Sequence, residues 1–357
     1  MKVAIRVDSY AELGSGHLMR CLALAQELRV NGAQCTFITR DHSGNLNHRV
    51  IESGFGLRRL NMREEDATGF VPSLGSTVEV DAAETCEVLR EWEPDWLVVD
   101  HYSLDETWES LVRVGSMRIL VIDDLADRPH QCDVLLDQNF PPDDWERYRA
   151  LVPPECVLVL GPRFALLHPE FALQRSLLLE HPERHRDRIL VSFGASDPTA
   201  LAEMSLEALT SPGLHAFPVD IVMGRNGARA EGLRTLSELR PGTRILGPQT
   251  NLAALMSTAK VSVGAGGSTL WERLCLGVSS VVVSIAPNQE RICRTLGDLR
   301  LIQYLGPSNE VSPARIADAC KAALLEAPSL HTDSAGGPFH VDGLGAQRVA
   351  QLMTAGS

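Results

Sequence analysis

No Cys-x-x-Cys pair occurs among the eight cysteines, Cys21, Cys35, Cys86, Cys132, Cys156, Cys275, Cys293 and Cys320. Zinc ribbons and dithiol redox motifs need that spacing, so neither is expected. Scattered thiols inside apolar runs are expected to be reduced and to pack as small hydrophobes. No apolar run approaches the roughly 20 residues of a membrane helix. The opening residues, Met1 to Val7, have a strand pattern rather than that of a signal peptide. A cytoplasmic protein with no stable membrane association is expected. Positive charge is also short: 33 Lys and Arg stand against 46 Asp and Glu, a net charge of −13. Nucleic-acid binding draws on clustered cations that displace counterions, and it is not expected here. A small anionic ligand remains compatible, because backbone amides and helix ends make local positive sites. Three catalytic signatures are missing as well. There is no Gly-x-Ser-x-Gly elbow, no Walker lysine and no Asp-x-Asp pair, so neither a metal nor a cofactor is expected.

What is present is an alternation of short apolar runs with longer amphipathic ones. Strand candidates are Val3–Val7, Gln34–Thr39, Trp96–Asp100, Arg118–Asp123 and Val134–Asp137, separated by stretches such as Leu18–Val30 and Asp81–Trp92. Pro153-Pro154, Gly161-Pro162 and the charged run Glu180–Arg188 form a connecting region, after which the alternation restarts. Strands are then expected at Ile189–Phe193, Val219–Val222, Arg244–Leu246, Lys260–Val263 and Ser279–Ser284, and a last helix near Leu344–Met353. This order predicts parallel sheets covered by helices on both faces. At 357 residues the chain exceeds one ordinary core. The expected fold is α/β, with two doubly wound parallel-sheet domains, residues 1–172 and 185–357, facing each other across a cleft. Ligands in such folds bind beyond the carboxyl ends of the strands.

Several loops at those ends carry chemistry. The first runs from Asp8 to Gly14-Ser15-Gly16-His17 and into a helix containing Arg20. Met19 stands where a dinucleotide fingerprint would need its third glycine, so that motif fails. His17 at a helix N-terminus is kept neutral by the helix dipole and suits a general base; the alternative is a capping or packing histidine. A second loop, Gly264-Ala-Gly266-Gly267-Ser268-Thr269, can present successive amides to a diphosphate, with Glu272 one turn into the following helix and able to reach a ribose diol; the alternative is an ordinary capped turn. Polar residues also end the strands of the first half: Asp100-His101-Tyr102, Asp123-Asp124 and Asp137-Gln138-Asn139. Adjacent residues of an extended chain point apart, which speaks against a metal held by Asp123-Asp124. The loop Gly194-Ala195-Ser196-Asp197-Pro198 opens the second half.

Taken in order, these loops resemble the UDP-2,4-diacetamido-2,4,6-trideoxy-β-L-altropyranose hydrolases of pseudaminic acid biosynthesis. The likeness spans nearly the whole chain, from Arg6-Val-Asp8 through Cys132-Asp133-x-Leu-Leu136-x-x-Asn139 and Gly161-x-x-Phe-Ala165-Leu166-Leu167 to Asn288-Gln289. One departure is Ala195, where the family pattern is close to Gly-Gly-x-Asp. The resemblance implies a GT-B-like fold, metal-independent hydrolysis and a UDP-sugar substrate. It implies His17 as the base and places substrate contacts at Asp8, Gly14, Ser15, Gly16, Arg20, Asp100, His101, Tyr102 and Asn139. UDP would be held by Gly194, Asp197, Gly266, Gly267, Ser268, Thr269, Glu272, Asn288 and Gln289. Asp8 and Asp100 are equal candidates for orienting His17. A UDP-sugar glycosyltransferase, a hydrolysing epimerase and a noncatalytic nucleotide-sugar binder remain open alternatives, since fold does not fix function.

Overall fold

A computed structural model describes residues 1–10, 13–63, 68–139, 146–194, 200–224, 230–325, 330 and 339–355. The chain divides into two compact units, one of Met1–His168 with Leu344–Ser357 and the other of Pro169–Gly343.

In the first unit the elements run β1 (Lys2–Val7), α1 (Gly16–Val30), β2 (Gln34–Arg40), α2 (Asn47–Glu52), β3 (Gly56–Leu60), α3 (Val78–Trp92), β4 (Trp96–Asp100), α4 (Glu106–Val112), β5 (Arg118–Ile122), β6 (Val134–Asp137) and β7 (Val157–Leu160). The strands form one parallel sheet in the order β3-β2-β1-β4-β5-β6-β7. Because strand side chains alternate, β1 feeds two cores. Val3, Ile5 and Val7 pack with Leu18, Cys21 and Leu22 of α1, whereas Ala4 packs with Leu97, Val99 and Trp108 on the α3 and α4 side. The strand order reverses direction between β1 and β4, and the crevice at such a switch point is where open parallel sheets bind ligands.

The second unit runs α5 (Pro169–Glu180), β8 (Arg188–Ser192), α6 (Leu201–Ala208), β9 (Val219–Val222), α7 (Ala230–Glu238), β10 (Thr243–Leu246), α8 (Ala253–Thr258), β11 (Ala259–Ala265), α9 (Thr269–Cys275), β12 (Ser279–Ser284), α10 (Pro287–Asp298), β13 (Gln303–Pro307) and α11 (Pro313–Leu325). Its parallel sheet has the order β10-β9-β8-β11-β12-β13, with the switch between β8 and β11. The Gly194 and Gly266 loops leave those two strands.

The last helix, α12 (Gly345–Ala355), returns to the first unit. Ala346, Val349, Ala350 and Met353 recur at helical spacing and join the core built on Val3, Ile5 and α1. Arg348 donates from Nη1 to the Arg163 carbonyl at 2.8 Å. Gly345 lies so close to the backbone of Phe164 and Ala165 that a Cβ there would collide with it. The expected boundaries thus differ from the observed division, with α12 leaving the second unit and α5 joining it from Pro169. Three strands also lie outside the expected set. In β3, Arg58 and Arg59 mask an edge strand, while β7 and β13 are short segments beside prolines.

Candidate active site

Arg6 interrupts the apolar run of β1, and a fully buried guanidinium needs a built partner set. It pairs bidentately with Asp8, Nη1 to Oδ1 at 2.6 Å and Nη2 to Oδ2 at 2.9 Å. It also donates to Asp81 of α3, from Nη2 at 2.7 Å and from Nε at 3.2 Å. Asp81 accepts further from Trp108 Nε1 at 3.0 Å and from Arg40 at 2.7 Å. The Arg40 amide donates to Asp8 Oδ1 at 2.7 Å, while His101 Nε2 and His42 Nε2 lie 3.3 and 3.6 Å from Asp8 Oδ2. Burial pushes the Asp8 carboxyl up, but Arg6 together with His101 and His42 outweighs it and holds the group well below the usual carboxylate range. Asp8 is fully buried. Its carboxylate ties the end of β1 to the Arg40 amide of β2, and Arg6 links it on to Asp81 of α3.

Asp100, at the end of β4, has a different set of partners. Arg20 of α1 grips it bidentately, Nε to Oδ2 and Nη2 to Oδ1, both at 2.6 Å. His17 Nδ1 lies 2.5 Å from Oδ1, and the Cys21 thiol donates to Oδ2 at 3.4 Å. Desolvation opposes the charge, yet Arg20 and then His17 override it and keep Asp100 ionised far below its ordinary range. An ionised Asp100 can only accept, so the neutral imidazole carries its proton on Nδ1 and its lone pair on Nε2. Of the two carboxylates considered for orienting His17, Asp100 is therefore the one in contact with it.

The remaining first-unit residues assemble around this pair. The Tyr102 ring meets the His17 ring edge-on at 4.6 Å, and its hydroxyl donates to Asp124 Oδ1 at 2.9 Å. Asp124 Oδ2 accepts from Asn139 Nδ2 at 2.9 Å and from Arg20 Nη1 at 3.2 Å. Asp123, its neighbour, turns instead to Tyr148 and the Ala126 amide. Tyr148 also bonds Asp137 at 2.9 Å, and Asp137 accepts the Asn139 amide at 2.8 Å. Burial, with Asp124 nearby, raises the Asp137 carboxyl to about 7. His101 lies apart from His17, facing Asp8 while its Nδ1 accepts the Ser103 amide at 3.1 Å. Gly14 takes a left-handed φ of 79° to close the turn onto Tyr10 before the helix, a conformation that favours glycine. Ser15 stands at the N-cap of α1 without a side-chain cap bond, and Gly16 is the first helical residue.

In the second unit the loop after β11 is tightly packed from behind. Arg273, fully buried, donates to Ser262 Oγ at 3.2 Å, to the Ala265 carbonyl at 2.9 Å and to Thr269 Oγ1 at 3.2 Å. A Cβ at Gly264 would strike that guanidinium and the Ser192 carbonyl, and one at Gly266 would strike Cys293 Sγ. The Gly266 amide is committed to the Val283 carbonyl at 3.1 Å, so the amides that lead into α9 are those of Gly267, Ser268 and Thr269. Glu272 Oε2 is buried without a hydrogen-bond partner, and burial raises its carboxyl to about 7 despite Arg273 beside it. Gln289 Oε1 accepts the Ile285 amide at 3.0 Å, and Asn288 is exposed at the start of α10. Gly194 adopts φ 90° just past the end of β8. Asp197 lies outside the described residues. Among the described residues, no group of three or more His, Cys, Asp or Glu side chains could hold a metal ion. Nor is any described helix long and apolar enough to cross a membrane.

Asp124, Arg273 and the Arg6–Asp81–Arg40 network were not singled out as site residues from the sequence. The usable signals were an arginine within an apolar strand (Arg6) and one just past a glycine loop (Arg273).

No family model matches the chain. A curated relative is the UDP-2,4-diacetamido-2,4,6-trideoxy-beta-L-altropyranose hydrolase of Campylobacter jejuni, 24% identical over 291 residues, covering 81% of this chain and 94% of that protein. Another is the spore coat polysaccharide biosynthesis protein SpsG of Bacillus subtilis, 30% identical over 198 residues, 54% of this chain and 57% of that protein. The chain spans little more than half the length of the first relatives it matches. Among solved structures, UDP-GlcNAc 2-epimerase from Neisseria meningitidis superposes with a TM-score of 0.63 at 12% identity, over 99% of this chain and 100% of that one. MurG of Acinetobacter baumannii superposes with a TM-score of 0.61 at 15% identity, over 99% of each. The likeness to the altropyranose hydrolase drawn from the loops is thus met by a relative of that name, and the fold is GT-B-like, two doubly wound parallel-sheet units.

Proposed function

We propose that this chain is a UDP-sugar-processing enzyme, and specifically that it hydrolyses UDP-2,4-diacetamido-2,4,6-trideoxy-β-L-altropyranose to the free sugar and UDP, a step of pseudaminic acid biosynthesis. The observation that carries the proposal is the His17–Asp100–Arg20 arrangement. Asp100 Oδ1 accepts a hydrogen bond from Nδ1–H at 2.5 Å, which leaves the lone pair on Nε2 as the basic atom. Arg20 pairs with the same carboxylate, Nη2 to Oδ1 at 2.6 Å, and holds it in place beside the ring.

In the proposed step a water oxygen bonds to the anomeric carbon on the face opposite the diphosphate. One water proton passes to His17 Nε2 as the bond from that carbon to the diphosphate oxygen breaks. UDP leaves with the bonding electrons, and the anomeric centre inverts. In the second unit, the amides of Gly267, Ser268 and Thr269 ahead of α9 suit the phosphates of a UDP moiety, the kind of fixed dipole that favours negative charge. Glu272, whose buried Oε2 has no hydrogen-bond partner, suits the hydroxyls of a ribose. No metal takes part in this scheme. The relative from Campylobacter jejuni supports the substrate by its name.

Proton NMR of the protein with this UDP-sugar in EDTA-treated buffer tests the proposal. Free sugar and UDP appearing with water as the sole acceptor, and lost in His17→Ala, is the expected result. Turnover only with a sugar acceptor points to a glycosyltransferase, and a C2-epimerised product to an epimerase; either overturns the proposal. In oxygen-18 water the label is expected in the sugar, and label in UDP refutes attack at carbon.

A further inference from the structure

The geometry points to Asp124 as a positioning residue for the His17 imidazole, holding Arg20 beside Nδ1 and Tyr102 against the ring while supplying the negative charge that Arg20 leaves uncompensated. This inference rests on His17 acting as the base in the proposed function. Asp124 follows β5 and gathers three donors from three other elements: Arg20 of α1 at 3.2 Å, Tyr102 after β4 at 2.9 Å and Asn139 after β6 at 2.9 Å. Two of those donors touch His17. Arg20 Nη2 lies 3.1 Å from Nδ1, and the Tyr102 ring stands at 88° to the imidazole. The Asp124 side chain is only 7% exposed, so its oxygens are spent inside the cluster.

Charge gives the arrangement a direction. The groups around the ring are Asp100, Arg20, Tyr102, Asp124 and the Cys21 thiol; Asn139 is neutral, and His101 faces Asp8. Arg20 and Asp100 cancel. Asp124 therefore leaves the cluster one charge negative with a neutral ring, and balanced once His17 has taken a proton. Removing that charge while keeping the shape, as Asp124→Asn does, makes the charged ring less favourable.

Asp124→Asn is expected to lower kcat about 10-fold with KM changed less than about 3-fold, and to move the acid limb of the pH–rate profile down by about half a pH unit. Tyr102→Phe keeps the ring and the charge and is expected to leave the acid limb in place. A readout without substrate is the pH at which the His17 ring charges, followed by nitrogen-15 NMR of the free protein with the resonance identified by its absence in His17→Ala. That midpoint is expected to fall in Asp124→Asn. An unmoved midpoint in a folded variant overturns the inference, whether or not activity falls. Failure of the wild type to hydrolyse the UDP-sugar sinks the proposed function instead, and the NMR titration still decides the role of Asp124.

Discussion

Replacing Asp100 by Asn tests the base most directly, because the amide cannot satisfy both of its neighbours. Asp100 accepts from Arg20 through both oxygens and faces His17 Nδ1 at 2.5 Å. If the Asn oxygen faces His17, its NH2 group meets the Arg20 Nε–H, donor against donor. If the NH2 faces His17 instead, Nδ1 must accept, the ring proton moves to Nε2 and the basic lone pair is lost. General-base catalysis contributes about 10²–10⁴-fold, so kcat/KM is expected to fall on the order of 10³-fold, or about 4 kcal/mol of transition-state stabilisation. Breaking a buried pair also costs stability, about 3–5 kcal/mol. The two effects must be separated.

Asp8→Asn supplies the control. Asp8 sits in an equally buried ion-pair network, with Arg6 and the Arg40 amide on it, yet it does not touch His17. Both variants are expected to unfold at lower urea concentration. Steady-state hydrolysis by the folded proteins, with folding checked by circular dichroism at the assay temperature, is expected to show a large kcat loss in Asp100→Asn and kcat within about 3-fold of wild type in Asp8→Asn. Equal kcat losses in the two folded variants, or an Asp100→Asn enzyme within 3-fold of wild type, would refute the assignment of the orienting role to Asp100.

Three further outcomes are expected. Asp137, raised by burial to about 7, keeps its proton in the folded chain over a range where the unfolded chain loses it. Stability therefore falls as pH rises from about 4 to 7, by about 2–4 kcal/mol from this group. Asp137→Asn, whose amide can still accept from Asn139 and donate to Tyr148, is expected to have a flatter stability profile over that range in urea melts; parallel profiles would contradict it. Gly264→Ala drives a methyl into the Arg273 guanidinium and the Ser192 carbonyl, and is expected to cost about 1–3 kcal/mol. Calorimetry is expected to show weaker UDP binding by this variant than by wild type, and unchanged affinity would remove the loop from the proposed UDP site. Met353→Ala empties a fully buried position of α12 in the first unit's core and is expected to cost about 2–5 kcal/mol in thermal unfolding, whereas a surface-like change under 0.5 kcal/mol would show that α12 does not brace that unit.

Much of the architecture was legible because buried parallel strands are written as short Val, Ile and Leu runs, and ten of the thirteen strands among the described residues were found by that pattern. Two of the three others depart from it: Gly56–Leu60 carries two arginines at an exposed sheet edge, and Gln303–Pro307 mixes polar residues with a terminal proline. Val157–Leu160 is itself a Val-Leu run, but it lies between Pro153-Pro154 and Gly161-Pro162, inside the segment read as a connection. The destination of α12 was not legible, because its stripe of Ala346, Val349 and Met353 says that one face is buried but not against what. The glycine loop showed a similar limit. Its composition suggests successive amides for a ligand, while the commitment of the Gly266 amide to Val283 depends on a neighbouring strand more than a dozen residues away.

The choice between Asp8 and Asp100 shows what the missing information was. Both end strands at the switch point of one sheet, and both belong to polar loops, so composition ranks them equally. In the sheet, Val7 pairs with Asp100 and Arg6 with Val99. Paired residues on parallel strands share a face, and successive residues alternate. Asp100 thus lies on the face of Val3, Ile5 and Val7, which α1 covers, and His17 and Arg20 of that helix reach it. Asp8, one residue further along, shares the face of Arg6, where α3 brings Asp81. A one-residue slip of β4 against β1 would turn Asp100 to the face of Arg6, away from His17 and Arg20, and leave Asp8 where it is. The orientation of His17 is therefore set by the β1–β4 register, through the apolar alternation that decides which face of each strand is packed against α1.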